Sequence, residues 1–498
     1  MRPTTNWLAV ILLVLLVLQT RTLVFDCYSF SEDEEQPDEL RSGERTFDLP
    51  FGQKAQKWLS PVVLVPGLCS SQLMAKLNKP SSPSSGICLR NSDWYNIWLN
   101  IASFNPLTFE CLVDNLRLHW DNRTKTTRNT KGVEIIPKDF GSVEGTEYLA
   151  PFKMIGYFKT LLKHLEGKLN YKRGANIFGA PYDFRKAPNE MGETFENLTL
   201  LIESATKRNG DTPTTLICHS MGCLISTHLL NLHSDMWRKK YVRRLISLAA
   251  PWHGSLKALR ALFKSETLGI PVPVSEIRYT FMSSTFPSVY YLFPRFPPPK
   301  NVGGLERVLV ETEVANYTIF ELDKLLEAAK KLDERDMLLE FRGLQANLTA
   351  PKVELWCLYG IGVKTTNKLS FEGNISSGKR EDWLLRESHG DGDGTVNAQS
   401  LEACAEFAKQ QTEPVYEFPF AGTNHIEIIR SQRTAKFIAD EILIRDKPAK
   451  VGRPATGGSS PQAEGEDGAD EYSDIVAADF VNTLPSCLAR NSAYQSDA

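Results

Sequence analysis

Short apolar runs and longer amphipathic stretches alternate along most of the chain. Six short runs bounded by turn residues predict buried strands, at 61–67, 175–185, 214–217, 244–252, 353–360 and 415–418. Apolar residues at helical spacing predict helices at 152–170, 191–208 and 426–444. Strands that alternate with helices indicate a parallel sheet with crossover connections, so the expected fold class is α/β.

One of these strands runs into a turn of small residues that contains a serine. The order is Cys218-His219-Ser220-Met221-Gly222, and a helix is predicted from residue 224. A serine between a strand and a helix, with glycine two residues later, is the nucleophile elbow of α/β-hydrolases. Cys218 departs from the usual glycine but is still small. The alternative is an ordinary buried turn that happens to contain a serine.

A serine nucleophile needs a base, and the base needs an orienting carboxylate. In an α/β-hydrolase the acid and then the histidine follow the serine along the chain. His425 lies in a loop between the last predicted strand and the last predicted helix, where this fold places its base. Asp391 and Asp393 are both candidate acids, and their spacing does not choose between them. A calcium loop is the weaker alternative, because the ligand pattern of such a loop is incomplete.

Two backbone N–H groups are expected to hold the negative oxygen of a tetrahedral intermediate. In this fold one comes from a loop after an early strand, and the other follows the nucleophile. The Gly67-Leu68 step and Met221 occupy these positions, so Leu68 and Met221 are the predicted oxyanion donors.

Two segments interrupt the alternation of strands and helices. Residues 253–350 contain an aromatic, proline-rich stretch and are predicted to form a cap or lid. Residues 80–150 form an excursion in which Trp94, Trp98 and Leu99 lie between Cys88 and Cys111. Such aromatic side chains favour a lipid interface. A packed helix under a local disulfide is the alternative.

The two ends of the chain differ in composition from the predicted hydrolase domain, 59–446. Residues 1–25 resemble a signal peptide whose apolar stretch, 8–18, is short for a membrane span. No clean cleavage site follows it, so a retained anchor is the alternative. Residues 26–58 are acidic and predicted to be a flexible leader, and residues 447–498 are predicted to be a disordered acidic tail.

Charge, glycosylation sequons and cysteines limit which cellular compartments and which classes of partner we expect. A formal net charge of −3 over 498 residues gives no reason to expect nucleic-acid binding. The nine cysteines are an odd number, so at least one is free or pairs with another chain. Glycosylation sequons favour the secretory route, and they begin at Asn122, Asn197, Asn316, Asn347 and Asn374.

From about residue 61 to 444 the chain resembles the lecithin:cholesterol acyltransferase family, most closely its lysosomal phospholipase A2 members. The resemblance is carried by Val63-Leu64-Val65-Pro66-Gly67, Gly179-Ala180-Pro181-Tyr182-Asp183-Phe184-Arg185, His219-Ser220-Met221-Gly222, Gly392-Asp393-Gly394-Thr395-Val396-Asn397 and His425-Ile426-Glu427. It implies an α/β-hydrolase fold with a cap and a small membrane-binding subdomain. It also implies that Asp393 is the acid, that no metal or cofactor is used, and that Cys88–Cys111 and Cys357–Cys404 are disulfides.

The chain departs from the lysosomal members at the oxyanion loop. The sequence of those members resembles Pro-Gly-Asp at this point, whereas in this chain Pro66-Gly67 is followed by Leu68 and then Cys69. A carboxylate at this position is linked to action at acidic pH in the lysosomal members. The expected location is therefore extracellular or in the lysosomal lumen, and this departure weighs against the lysosomal one.

The combined expectation is a monomeric, serine-dependent phospholipase and O-acyltransferase that acts peripherally on phospholipid membranes or lipoprotein surfaces. Its acyl acceptor would be water or a lipophilic alcohol. One alternative is a membrane-anchored phospholipid:diacylglycerol acyltransferase, if the first segment is retained. Another is a lipid-binding protein without catalytic activity.

Overall fold

The computed structural model describes residues 59–81, 87–264, 275–295, 307–346 and 349–447. The predicted signal segment 1–25, the leader 26–58, Asn347 and the tail after residue 447 lie outside these residues. Within the described part of the chain, no helix is long and apolar enough to cross a membrane.

Short strands and helices succeed one another throughout the described residues. The strands are β1 (Val62–Val65), β2 (Leu73–Asn78), β3 (Asn91–Trp98), β4 (Leu118–Asp121), β5 (Thr126–Asn129), β6 (Val133–Pro137), β7 (Tyr148–Ala150), β8 (Met154–Gly156), β9 (Ile177–Gly179), β10 (Thr214–His219), β11 (Val242–Leu248), β12 (Val310–Thr312), β13 (Asn316–Tyr317), β14 (Glu354–Ile361), β15 (Thr365–Gly373), β16 (Trp383–Gly390) and β17 (Val415–Ala421). The α-helices are α1 (Phe109–Leu116), α2 (Glu144–Glu147), α3 (Lys159–Leu169), α4 (Gly192–Arg208), α5 (Met221–Leu232), α6 (Asp235–Tyr241), α7 (Leu256–Arg260), α8 (Glu276–Ser283), α9 (Pro287–Tyr291), α10 (Leu322–Ala328), α11 (Leu332–Ala346), α12 (Ala398–Leu401), α13 (Glu427–Arg430) and α14 (Gln432–Asp446).

A six-stranded parallel sheet forms the centre of the fold. Its strand order is β17-β14-β11-β10-β1-β9, and every neighbouring pair is parallel. Every residue of β1 and of β10 is buried. Because successive side chains of a strand point to opposite faces, both faces of the sheet are covered in its middle. The predicted α/β-hydrolase fold class is confirmed.

The predicted helix at 152–170 is wrong over its first third. The helix α3 starts only at Lys159, and the short strand β8 precedes it. Phe152, Lys153 and Ile155 have φ between 55° and 58°, which a right-handed helix cannot contain. The closing helix predicted at 426–444 is likewise two helices, because Ser431 is extended and caps the start of α14.

The excursion at 80–150 contains a small antiparallel sheet in the order β3-β2-β6. The stretch that carries Trp94 and Trp98 is the strand β3, whereas the sequence predicts a loop or a helix there. The cause is pairing with β2, in which Trp98 lies opposite Leu73. The predicted disulfide Cys88–Cys111 is confirmed, with its Cα atoms 5.3 Å apart. It ties the residues before β3 to α1.

The described parts of 253–350 contact this excursion directly. The guanidinium of Arg278, on α8, donates three hydrogen bonds to the Glu110 carboxylate, on α1, the shortest at 2.6 Å. The Leu118 N–H also donates to the Thr285 hydroxyl at 2.9 Å. The two interruptions of the α/β pattern are therefore joined to each other. Whether 253–350 acts as a lid stays a prediction.

A buried ion cluster fixes the last helix to the sheet. The Asp446 carboxylate, at the end of α14, accepts hydrogen bonds from Arg244 on β11, at 2.7 Å, and from the Ser60 N–H, at 3.2 Å. Arg243 adds an ion pair at 3.0 Å. The side chain of Asp446 is fully buried, so removal of its charge would leave Arg244 short of a partner in a poorly solvated position.

The variant Asp446→Ala should therefore lower the free energy of unfolding by about 3–5 kcal/mol, the usual cost of breaking a buried ion pair. Asp440→Ala is the matched control, since Asp440 lies on the same helix and pairs with Lys168 at a partly exposed position. It should cost about 1 kcal/mol or less. Denaturant titration of both variants measures the difference, and equal losses would contradict the assignment.

Candidate active site

Ser220 lies at the sharp turn between β10 and α5, with φ 53° and ψ −128°. Residues other than glycine rarely adopt this backbone conformation, so the surrounding structure must hold it. A Cβ at Gly222 would lie 2.3 Å from the Pro66 carbonyl oxygen, and a Cβ at Gly67 would lie 2.9 Å from the Ser220 Cβ. These two glycines let the loop after β1 pack directly against the turn.

The structure brings Ser220, His425 and Asp393 into one chain of hydrogen bonds. The distance from Ser220 Oγ to His425 Nε2 is 2.9 Å, and that from His425 Nδ1 to Asp393 Oδ2 is 2.7 Å. All three residues are at least nine-tenths buried. The arrangement has the geometry in which a histidine removes a serine proton while a carboxylate orients the ring.

The loop around Asp393 fixes the direction of its carboxylate. Asp393 Oδ1 accepts hydrogen bonds from the N–H groups of Thr395, at 2.9 Å, and Val396, at 2.7 Å. The second oxygen is therefore left to face His425. The Asp393 carbonyl also accepts from the His425 N–H at 2.9 Å, which ties the two loops together.

Asp391, the other candidate acid, has a different place. It is exposed, and its Oδ1 accepts from the N–H groups of Gly362 and Gly392 at 2.6 and 2.7 Å. Asp391 thus closes a turn, whereas Asp393 reaches the histidine. In the described ranges, no group of three or more His, Cys, Asp or Glu side chains is placed to hold a metal ion.

The loop that carries Leu68 is held by its own backbone and by a tryptophan. The Gly67 carbonyl accepts from the Ser70 N–H at 3.2 Å. Because a trans peptide is planar, the Leu68 N–H points the opposite way from that carbonyl. The other predicted donor, Met221, is the first residue of α5, and N–H groups in a first helical turn have no acceptor within the helix.

Trp98 supports this loop, in contrast to its predicted contact with lipid. Its indole N–H donates to the Cys69 carbonyl at 2.9 Å, and the residue is only 2% exposed. Its ring packs against Phe104 and Phe184. Leu99 is equally buried. Burial contradicts the predicted lipid contact for Trp98 and Leu99. Trp94 is 41% exposed, so its contact with lipid stays a prediction.

Comparison with known proteins decides the family. The family model for lecithin:cholesterol acyltransferase matches residues 94–325 and 306–432. The chain belongs to the lecithin:cholesterol acyltransferase family. It is 34% identical over 385 residues to rat lysosomal phospholipase A and acyltransferase, covering 77% of this chain and 90% of that protein. It is 32% identical over 404 residues to mouse phosphatidylcholine-sterol acyltransferase, covering 81% and 89%.

The similarity to solved structures is lower than the similarity to these two relatives. The chain is similar to a Bacillus licheniformis lipase in its mature form, with a TM-score of 0.31 and 11% sequence identity. The comparison covers 79% of this chain and 96% of the lipase.

The cysteines of this family member differ from the pairing that the resemblance implies. Cys357 and Cys404 are free thiols, so the predicted disulfide between them is wrong. The two are in contact, and burial together with the neighbouring Cys357 thiol raises the pKa of Cys404. The resemblance correctly placed the residues together, but proximity does not fix oxidation state. A disulfide instead joins Cys218 to Cys223, across the Ser220 turn, and Cys69 is free.

Four of the five predicted glycosylation sites lie among the described residues. Asn122, Asn316 and Asn374 are exposed, and Asn197 on α4 is half-buried. These positions leave space for a glycan at three of the five sequons.

Two residues beside the nucleophile were missed by sequence reasoning. Tyr157 looks like one apolar position of an amphipathic helix, and His219 looks like part of a motif. In the structure, the Tyr157 hydroxyl lies 3.0 Å from the Gly67 nitrogen and 2.5 Å from His219 Nδ1. Burial lowers the pKa of His219 well below its usual value of 6.5. The sequence contains no signal that would have paired these residues.

Proposed function

We propose that this protein is a serine-dependent phospholipase and O-acyltransferase. It cleaves a fatty acyl ester of a glycerophospholipid and passes the acyl group to water or to a lipophilic alcohol. The observation that carries the proposal is the buried chain from Ser220 Oγ through His425 to Asp393. The names of the relatives, a phospholipase A and a phosphatidylcholine-sterol acyltransferase, support a phospholipid as acyl donor.

The acylation step begins when Ser220 Oγ attacks the ester carbonyl carbon and His425 Nε2 takes the hydroxyl proton. The carbonyl oxygen becomes an oxyanion, which the N–H groups of Leu68 and Met221 stabilise. Loss of one such donor typically costs about 10²–10³ in rate. Asp393 holds the imidazole in orientation and stabilises its cation. When the carbon–oxygen bond to the glycerol breaks, His425 returns its proton to the leaving alcohol.

The deacylation step repeats this chemistry with a new hydroxyl. Water or a lipid alcohol gives its proton to His425 and attacks the acyl carbon on Ser220. The tetrahedral intermediate then collapses, and Ser220 recovers its proton. The product is a fatty acid or a new ester, and only the acceptor differs. Each step uses groups of this chain, so the proposal includes no cofactor.

Exposed apolar side chains on the excursion support action at a lipid surface. Ile87, Leu89, Trp94 and Leu107 are 56%, 67%, 41% and 69% exposed. Ile87 directly precedes Cys88, and the other three lie between Cys88 and Cys111, which a disulfide joins. A tryptophan among aliphatic residues suits the boundary between headgroups and acyl chains. We propose this group, the excursion patch, as the contact with phospholipid membranes or lipoprotein surfaces.

The uncharged side chain of Leu68 supports enzyme activity outside the lysosome. An ionised carboxylate beside a forming oxyanion would repel it, whereas the leucine side chain carries no charge that depends on pH. We therefore propose a protein of the secretory route that acts best near neutral pH. Its sequons and its family are consistent with that route.

The direct test incubates the protein with phosphatidylcholine liposomes that contain cholesterol, ceramide or diacylglycerol, at pH 4.5 and 7.4. The wild type should release or transfer acyl groups, and Ser220→Ala should lose more than about 10³-fold of that rate. Acylated sterol, ceramide or glyceride identifies the acceptor, and fatty acid alone identifies a phospholipase.

Equal turnover by the wild type and Ser220→Ala would contradict the serine mechanism. Absence of turnover by both, with retained liposome binding, would favour a lipid-binding protein.

Replacement of Leu68 tests the pH argument. Leu68→Asp should lower the rate at pH 7.4 more than at pH 4.5. With the ordinary aspartate pKa near 3.9, about a fifth of the new carboxyl is protonated at pH 4.5 and almost none at pH 7.4, and only the protonated form does not repel the oxyanion. Leu68→Asn has nearly the same shape without the charge and should lower both rates alike. A ratio of acid to neutral rates that is equal for the two variants would contradict the argument.

Replacement of Trp94 tests the excursion patch. Trp94→Ser should weaken partition onto phosphatidylcholine liposomes, measured by sedimentation, by about 30-fold, because loss of the ring removes about 2 kcal/mol of transfer free energy. Leu332→Ser removes an exposed apolar residue outside the excursion and should sediment like the wild type. Equal behaviour of the two variants would place the lipid contact elsewhere.

A further inference from the structure

We infer that Tyr157 and His219 form a positioning pair that orients the first oxyanion donor and couples it to the loop of the catalytic base. The inference rests on the proposed function, since it takes Leu68 as that donor and His425 as that base. It adds two residues that touch neither the reacting ester nor its oxygen.

A continuous series of hydrogen bonds joins the two loops. The Gly67 N–H donates to the Tyr157 hydroxyl at 3.0 Å, and that hydroxyl lies 2.5 Å from His219 Nδ1. His219 Nε2 lies 2.9 Å from the carbonyl oxygen of His425. Tyr157 is fully buried, and His219 is 1% exposed. The series therefore crosses the buried interior behind Ser220, from the loop of Leu68 to the loop of the base.

The partners allow only one direction for a neutral imidazole. A carbonyl oxygen can only accept, so His219 Nε2 carries the proton and Nδ1 accepts. The Tyr157 hydroxyl then donates to Nδ1, and its oxygen accepts from the Gly67 N–H. Burial of His219 keeps its pKa well below 6.5, in agreement with the neutral ring. Every donor in the series thus has an acceptor.

This series fixes two successive peptide planes in the oxyanion loop. Tyr157 sets the peptide between Pro66 and Gly67, and Ser70 sets the next peptide through the Gly67 carbonyl. The Leu68 N–H belongs to that second peptide. With both planes held, the donor is oriented before substrate arrives, which is the condition under which an oxyanion hole is effective.

His219, one member of the pair, also holds the backbone of the catalytic base. The backbone of His425 is held at both ends, its carbonyl by His219 and its N–H by the Asp393 carbonyl. The ring centres of His219 and His425 are 4.8 Å apart. A neutral His219 avoids repulsion of the imidazolium that forms on His425 during the reaction. Arg430 is the other positive group that acts on His219, and it also opposes protonation of that ring.

A purely structural role for Tyr157 is the competing explanation, and the variant Tyr157→Phe separates the two. It keeps the ring and removes only the hydroxyl. If Tyr157 merely fills space, the reaction should be unaffected. If it orients the loop, kcat for a water-soluble ester such as p-nitrophenyl butyrate should fall about 10- to 100-fold, somewhat less than loss of the donor itself. KM should stay within about twofold, because a group that orients the oxyanion hole acts on the transition state rather than on bound substrate.

Tyr171→Phe is the matched control. Tyr171 is also fully buried, and its hydroxyl donates to the Ser60 carbonyl at 2.7 Å, before the start of β1 rather than after its end. Loss of that hydroxyl should cost comparable stability and leave kcat unchanged. His219→Gln, which keeps an N–H for the His425 carbonyl, should retain more activity than His219→Leu.

The experiment measures soluble-ester turnover, phospholipid turnover, thermal midpoint and the rate at which a fluorophosphonate labels Ser220. Slow labelling and low kcat in Tyr157→Phe alone support the inference. Wild-type rates in Tyr157→Phe overturn it and leave the proposed function intact. Equal slowing in both tyrosine variants also overturns it, since any buried hydroxyl would then matter. A wild type that labels but cleaves no phospholipid overturns the proposed function, and labelling still decides the inference. No labelling of Ser220 in the wild type overturns both.

Discussion

The close packing of the loop after β1 against the Ser220 turn is the constraint on which the site depends. At Gly67 and Gly222 there is no room for a side chain, because either Cβ would press on the turn or on the loop backbone. That contact brings the Leu68 peptide beside the nucleophile. Trp98 and Tyr157 then hold the same loop through the Cys69 carbonyl and the Gly67 N–H. The strained Ser220 backbone is sustained by this enclosure.

The sequence predicts the sheet well because its central strands are buried on both faces and read as continuous apolar runs. Ser220 and His425 are also predictable, since the fold places them after particular strands. Local pattern could not choose between Asp391 and Asp393, because the choice depends on which carboxylate reaches the histidine, which lies in another loop of the chain. The family resemblance made that choice.

Other features depend on contacts that sequence does not encode locally. Trp98 has the composition of a lipid-facing residue, yet its indole finds a carbonyl inside the fold. The helix predicted at 152–170 starts late because the preceding backbone turns left-handed at three residues. For Cys357 and Cys404 the resemblance gave position without oxidation state.

Trapping of the acyl-enzyme tests directly whether Ser220 is the nucleophile. Protein mixed with phosphatidylcholine and quenched in acid within milliseconds would be digested and examined by mass spectrometry. We expect a fatty acyl mass on the peptide that contains Ser220, and none there when a lipid alcohol has discharged it. Turnover with the acyl group on another residue, such as Cys69, would contradict a role of Ser220 as the nucleophile.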